Sequence, residues 1–213
     1  MRKSAAAPFG SLKVRTPFVQ PGQRVGIMGG TFNPPHAGHQ LVSSTTLKRL
    51  QLDQLWWVVT PGNPLKSNGG LPSLESRMEA CRALVSDPRM TVTGFEAELQ
   101  TPYTAATLAF LRKRYPAVHF VWVMGADNLA GFHRWQHWRD IMETMPIAVV
   151  DRPGWRLRSL AAKAAVAYAR AFVPERRAAE LPLLRPPAWT LLTGPLSNLS
   201  STMLRAAGGR STP

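Results

Sequence analysis

Eleven residues, GGTFNPPHAGH from Gly29 to His39, place two histidines three apart behind a glycine pair and a proline pair. Gly29 and Gly30 let a backbone turn tightly and approach a ligand without Cβ interference. Pro34 and Pro35 stiffen the approach, and a helix opens near His36. Helix starts carry unsatisfied N–H groups and partial positive charge, which suits phosphate. His36 and His39 share one helical face, aimed at whatever occupies that site. Metal binding is disfavoured, because no Cys or Glu nearby completes a ligand set; a plain capping role is the other reading. A second phosphate-type signal is LSSTMLR, Leu199 to Arg205, in which Ser200 can cap a helix. Ser201 and Thr202 add hydroxyls, and Arg205 follows one turn later with a planar multi-donor group.

The elements needed to position these residues are legible as periodic patterns. Arg24–Met28, Leu55–Thr60, Met90–Thr93, His119–Met124, Pro146–Val150 and Trp189–Thr193 read as strands. Several are apolar without alternation, as expected of parallel strands buried on both faces. Helices are expected over Gly38–Leu50, Ser73–Val85, Thr104–Tyr115, Trp155–Ala171 and Ser201–Ala207. Strand alternating with helix predicts an α/β fold: a Rossmann-like, doubly wound parallel sheet of about five or six strands flanked by helices. In such sheets the ligand lies beyond the carboxyl ends of the strands, where the winding reverses. Both signals fall at such ends. Pro174, Pro182, Pro186 and Pro187 mark a surface excursion before the last strand.

Composition narrows the class. The 213 residues suit one domain, read as 24–213, preceded by a basic extension, 1–23, whose prolines and lack of periodicity give it little to bury. No apolar run approaches the roughly 20 residues of a membrane helix, so no membrane partner is expected. One cysteine, Cys81, excludes an internal disulfide and suggests a reducing, cytoplasmic setting. It falls on an apolar helical stripe with Leu74, Met78 and Leu84, as a packing thiol would. Twenty-six Lys and Arg against 12 acidic residues give a formal charge of +14, a field that attracts polyanions. The arginines are dispersed rather than interleaved with aromatics, so a solvated basic face is expected and no nucleic acid.

The order strand, GG, PP, HxGH, helix resembles the nucleotidylyltransferase superfamily, whose H-x-G-H signature follows the first strand of a Rossmann-like sheet. The resemblance implies that His36 and His39 contact the ATP phosphates and stabilise charge as the α-phosphate is attacked. It also implies ATP contacts from Gly29, Gly30, Thr31, Phe32 and Gly38, and from Ser201, Thr202 and Arg205, which match the family's I-S-[ST]-T-x-[IL]-R. The dinucleotide fingerprint G-x-G-x-x-G and the P-loop lysine motif are both missing from the sequence.

Four stretches resemble the nicotinate mononucleotide adenylyltransferase branch: TPGNPLK (Thr60–Lys66), PYTAATL (Pro102–Leu108), MGADNLAGFHRWQHW (Met124–Trp138) and VDRPGW (Val150–Trp155). The branch implies Lys66 as a phosphate contact, Tyr103 and Thr104 as acceptor-binding residues with backbone N–H groups at the Thr104 helix start receiving the nicotinate carboxylate, Asp127 as a ribose ligand and Trp135 as the ring's stacking platform. His133 and His137 have no counterpart role. Asn33 stands where the family usually has Asp, and the family's further helix after the arginine motif is not seen in Ala206–Pro213. The implied reaction is in-line displacement. The acceptor's 5′-phosphate attacks the α-phosphorus of ATP, with His36, His39, Lys66, Arg205 and substrate-bound Mg²⁺ as the catalytic set. No protein-held metal is expected. ATP and nicotinate mononucleotide are the partners, with a homo-oligomer left open. The alternatives are nicotinamide mononucleotide or phosphopantetheine as acceptor, or a basic RNA-binding module on the same fold.

Overall fold

A computed structural model describes residues 14–62, 70–99, 103–194 and Ser201. Six short apolar runs become six parallel strands: β1 (Arg24–Gly30), β2 (Gln54–Val59), β3 (Met90–Thr93), β4 (His119–Gly125), β5 (Ile147–Val150) and β6 (Trp189–Leu192). Their order is β3-β2-β1-β4-β5-β6. Residues pair across the centre as Ile27 with Trp56 on one side and with Trp122 on the other. The winding therefore reverses between β1 and β4, the topological switch point where such sheets open a crevice.

Two-residue periodicity sorts each strand onto two buried faces. Val25, Ile27, Trp56, Val58, Phe120 and Trp122 join one apolar cluster. Met28, Leu55, Trp57, Val59, Val121 and Val123 join the other. Helices cover both. α3 (Thr104–Arg114), α4 (Ala126–Gly131), α5 (Trp138–Thr144) and α7 (Lys163–Ala167) contribute to the first cluster. α1 (Ala37–Arg49) and α2 (Leu74–Leu84) contribute to the second, with Cys81 fully buried in it. Burial pushes the Cys81 thiol up to about 12, so it packs as an inert hydrophobe.

Three expectations differ from what is observed. The helix expected over 155–171 is broken into α6 (Arg156–Leu160), α7 and a 3-10 turn (Ala169–Ala171). Ala162 takes an extended conformation between the first two. Burial of the small residues Ser159, Ala162, Ala164 and Ala165 against the core overrides the intrinsic helix preference of the run. The proline-rich excursion is a 3-10 stretch (Glu175–Leu183). It buries Ala178 and Leu181, three apart as a threefold helix requires. Finally, the basic leader packs from Val14 onward. Val14 is 2% exposed within the first cluster. Arg15 N–H donates to Glu98 Oε2 at 3.1 Å, and Gly22 N–H to Ala117 O at 2.7 Å. Of the helix expected over 201–207, only Ser201 is among the described residues, and it is helical.

Candidate active site

At the carboxyl ends of β1 and β4 lies a cleft of about 470 Å³, within the range of small-ligand sites. One wall is the loop from Gly29 to Phe32 with His36, Gly38 and His39. Tyr103, Thr104, Asp127 and Trp135 line the same cleft. The two halves of the sequence reading thus meet across one cavity. Lys66, Thr202 and Arg205 lie outside the described residues.

The histidines are held by the helix they begin. His36 is the N-cap of α1, and its Nδ1 accepts from Gly38 N–H at 3.1 Å. His39 Nδ1 in turn accepts from His36 N–H at 3.2 Å. The sequence expected these N–H groups to meet phosphate directly, but the imidazoles take them. Each neutral ring then carries its proton on Nε2, so the donor is passed outward through the ring. The capping and phosphate-binding readings are compatible, because each uses a different nitrogen.

Burial lowers His36 to about 4, with the Arg152 charge adding to the effect and Asp127 opposing it. Burial also lowers His39 to about 3, helped by His36 and Arg152 and opposed by its backbone hydrogen bond. Both rings are neutral donors at pH 7. The ring centroids are 3.9 Å apart, and His39 lies 4.8 Å from Phe32, which stacks on Trp57 at 5.0 Å. Phe32 is 2% exposed and has φ of 47°, a left-handed conformation unusual for a bulky residue. Its side chain supports His39, leaving its backbone to line the cleft. Gly38 is required by contact, since a Cβ there would come within 2.8 Å of His36 Nδ1. A Cβ at Gly29 would come within 2.6 Å of Trp122 Cη2.

Also lining the cleft, α3 starts at Thr104 with no side-chain cap from Tyr103. Its 11 residues end in Arg112, Lys113 and Arg114, charges that complement the helix dipole. Trp135 closes the 3-10 turn Phe132–Arg134, its ring 5.2 Å from Phe132 and 6.3 Å from Trp122. It is anchored by core aromatics and also lines the cleft. Asp127 Oδ2 accepts from Arg152 Nη1 at 3.1 Å, while Oδ1 is buried without a partner among the described residues. That oxygen can accept from a ligand hydroxyl. Ser201 Oγ–H donates to Pro34 O at 2.9 Å, tying the carboxyl-terminal motif to the first-strand loop.

Four residues that sequence reasoning missed complete the picture. Arg152 lines the cleft beside Asp127; it stands in the VDRPGW stretch just after β5, which was the signal that could have singled it out. Glu96 and Trp122 also line it. Arg77 is 3% exposed and donates to four carbonyls: Pro72, Thr31, Thr60 and Pro61, at 3.0, 2.9, 2.7 and 3.3 Å. It binds the phosphate-type loop to the segment after β2. Among the described residues, no three His, Cys, Asp or Glu side chains converge as a metal cage. No helix among them is long and apolar enough to cross a membrane.

Comparison with known proteins agrees with this geometry. The cytidylyltransferase-like family model matches residues 27–207. A probable nicotinate-nucleotide adenylyltransferase of Agrobacterium fabrum is 58% identical over 181 residues, 85% of this chain and 97% of that protein. A protein of the same description from Methylorubrum extorquens is 54% identical over 85% of this chain and 98% of its own length. The solved Plasmodium falciparum nicotinic acid mononucleotide adenylyltransferase complexed with NaAD shares the fold, with a TM-score of 0.65 at 15% identity. The match covers 86% of this chain and 83% of that one. With its six-stranded switch-point cleft and these relatives, the chain belongs to the cytidylyltransferase-like family and, within it, to the nicotinate-nucleotide adenylyltransferases.

Proposed function

We propose that this protein transfers the adenylyl group of ATP to nicotinate mononucleotide, giving nicotinate adenine dinucleotide and pyrophosphate. The observation that carries the reading is the pairing in one cleft of two neutral imidazole donors with the start of α3 and an indole. A phosphate oxygen of the acceptor bonds to the α-phosphorus of ATP. The bond from that phosphorus to the bridging oxygen breaks, and pyrophosphate leaves with the electron pair. The acceptor brings its own nucleophile, so the protein positions the reactants and stabilises developing charge.

His36 and His39 serve as Nε2–H donors to the phosphates of ATP. Neutral donors can approach phosphate oxygens without first losing a proton or a counter-ion. Thr31, Gly29, Gly30 and Ser201 shape the same wall, and by the family pattern Thr202, Lys66 and Arg205 add hydroxyl and cationic contacts. Magnesium enters with ATP as part of the substrate.

The acceptor's pyridine ring stacks on Trp135, its carboxylate meets the α3 N-terminus, and Asp127 accepts from ribose hydroxyls. A helix N-terminus favours a carboxylate over a neutral amide, because the dipole adds to the hydrogen bonds. Pyrophosphate release from ATP is the test, run with nicotinate mononucleotide, its amide and phosphopantetheine in turn. Release with the first and little with the others is expected. Equal use of the amide overturns the substrate assignment, and release with none of them overturns the reaction.

A further inference from the structure

The cleft contains a carboxyl group that the reaction does not call for. Glu96 belongs to the 3-10 turn Phe95–Leu99 and is 4% exposed, yet it lines the cleft wall. Its Oε1 accepts from the Thr107 hydroxyl of α3 at 2.6 Å. Its Oε2 is buried with no partner among the described residues. Trp122, another lining residue, presents the same condition at Nε1, an atom that can only donate. An acid buried at a site for an anionic ring is unfavourable when ionised and useful when protonated, because its O–H then donates. With Oε1 accepting from Thr107, the proton belongs on Oε2. Two buried donors then lack acceptors. A planar group with two acceptor oxygens has one for each donor, whereas a carboxamide offers one acceptor and sets its N–H₂ against donors.

We propose that Glu96 is a specificity-determining residue of the acceptor site, its protonated carboxyl donating through Oε2 to the ring carboxylate of the acceptor. Trp122 Nε1–H supplies the second donor. The proposal rests on the acceptor assignment above. Burial raises the Glu96 carboxyl to about 7, opposed only by the Thr107 hydrogen bond. No charged side chain is among these causes. The charged or titratable groups around it are Tyr103 at the α3 start, Glu98 on its own turn, and Asp127, Arg134, Arg152 and the two histidines of the cleft wall. The histidines are already neutral across the relevant range. Acceptor binding therefore weakens as pH climbs through the Glu96 titration, when a carboxylate would face a carboxylate.

The acceptor KM is measured at saturating ATP from pH 6 to pH 8.5 for wild type, Glu96→Gln and Glu96→Ala. Glutamine keeps the shape and a donor but does not titrate. The wild-type KM divided by that of Glu96→Gln should rise roughly tenfold between pH 6 and pH 8, as each unit above the pKa costs up to a factor of ten. The ratio cancels ionisation of the acceptor phosphate. Glu96→Ala, lacking the donor, should have a higher KM than Glu96→Gln at every pH. Calorimetry on wild type at pH 8 gives a readout independent of the variants: nicotinate mononucleotide should bind with proton uptake, seen as a buffer-dependent enthalpy. A flat KM ratio, or binding without proton uptake, overturns the proposal while leaving the acceptor assignment intact. Wild type that releases no pyrophosphate with nicotinate mononucleotide overturns both.

Discussion

His36 and His39 were legible because their spacing, with Gly38 between, encodes a local device: a helix start that seats its own imidazoles. Replacing His39 by Ala should lower kcat by roughly 10²–10³-fold, the usual cost of losing one preorganised transition-state donor. Near-normal turnover would remove these rings from the reaction. Their titration also predicts an acid limit. Both folded-state pKa values lie below the ordinary histidine value of 6.5. Their stabilising contribution is therefore complete above pH 6.5 and is lost as pH falls through about 4 and then about 3. Melting temperatures should decline over that interval, and less steeply in a His36→Asn/His39→Asn double variant. Trp135→Ala should raise the acceptor KM about 5- to 150-fold, from a stacking loss of roughly 1–3 kcal/mol, and leave that of ATP nearly unchanged. An effect confined to ATP would return Trp135 to the other half of the cleft. Glu96, Trp122 and Arg152 were not legible, because their roles depend on neighbours 11 or more residues away or on partners they lack.

At the scale of elements, the six strands were readable because a parallel strand buried on both faces needs a continuous apolar run. α4 and α5 were not among the expected helices; they are short and lie within a ligand-type motif, although Ala126, Leu129 and Phe132 recur at threefold spacing. Nothing in the sequence distinguishes Arg77 from a surface cation on a helix. Its function is visible only when the loops after β1 and β2 meet over it. An arginine there is irreplaceable by lysine, since a compact ammonium cannot span carbonyls on both loops. Buried carbonyls left unsatisfied cost roughly 1–3 kcal/mol each. A loss of about 3 kcal/mol in Arg77→Ala would lower Tm by roughly 6–12 °C. Because Thr31 and Thr60 line the cleft, the variant should also raise the KM for ATP at temperatures where it remains folded. An unchanged Tm would show that the four carbonyls find other donors.

For the molecule as a whole, composition indicated a single α/β domain but misjudged the leader. Its prolines and missing periodicity hid that one residue, Val14, reaches the core. Starting the chain at Gln20 removes Val14 together with the contact between the Thr16 and Tyr115 hydroxyls. The shortened chain should melt at a lower temperature, and Val14→Ala alone should reproduce part of the loss. An unchanged Tm in both would mean the segment adds nothing to stability. The surplus of positive charge has a separate consequence when set beside the self-capped histidines. The protein's field draws a polyanionic substrate in from solution, and dissolved ions screen that pull over a Debye length of about 8 Å at physiological ionic strength. In the proposed role the two imidazoles, being uncharged, would hold phosphate by short-range dipoles that salt barely weakens. Capture and hold are thereby assigned to different forces. Raising ionic strength should slow the encounter, read as kcat/KM for ATP, far more than it slows turnover of substrate already in place.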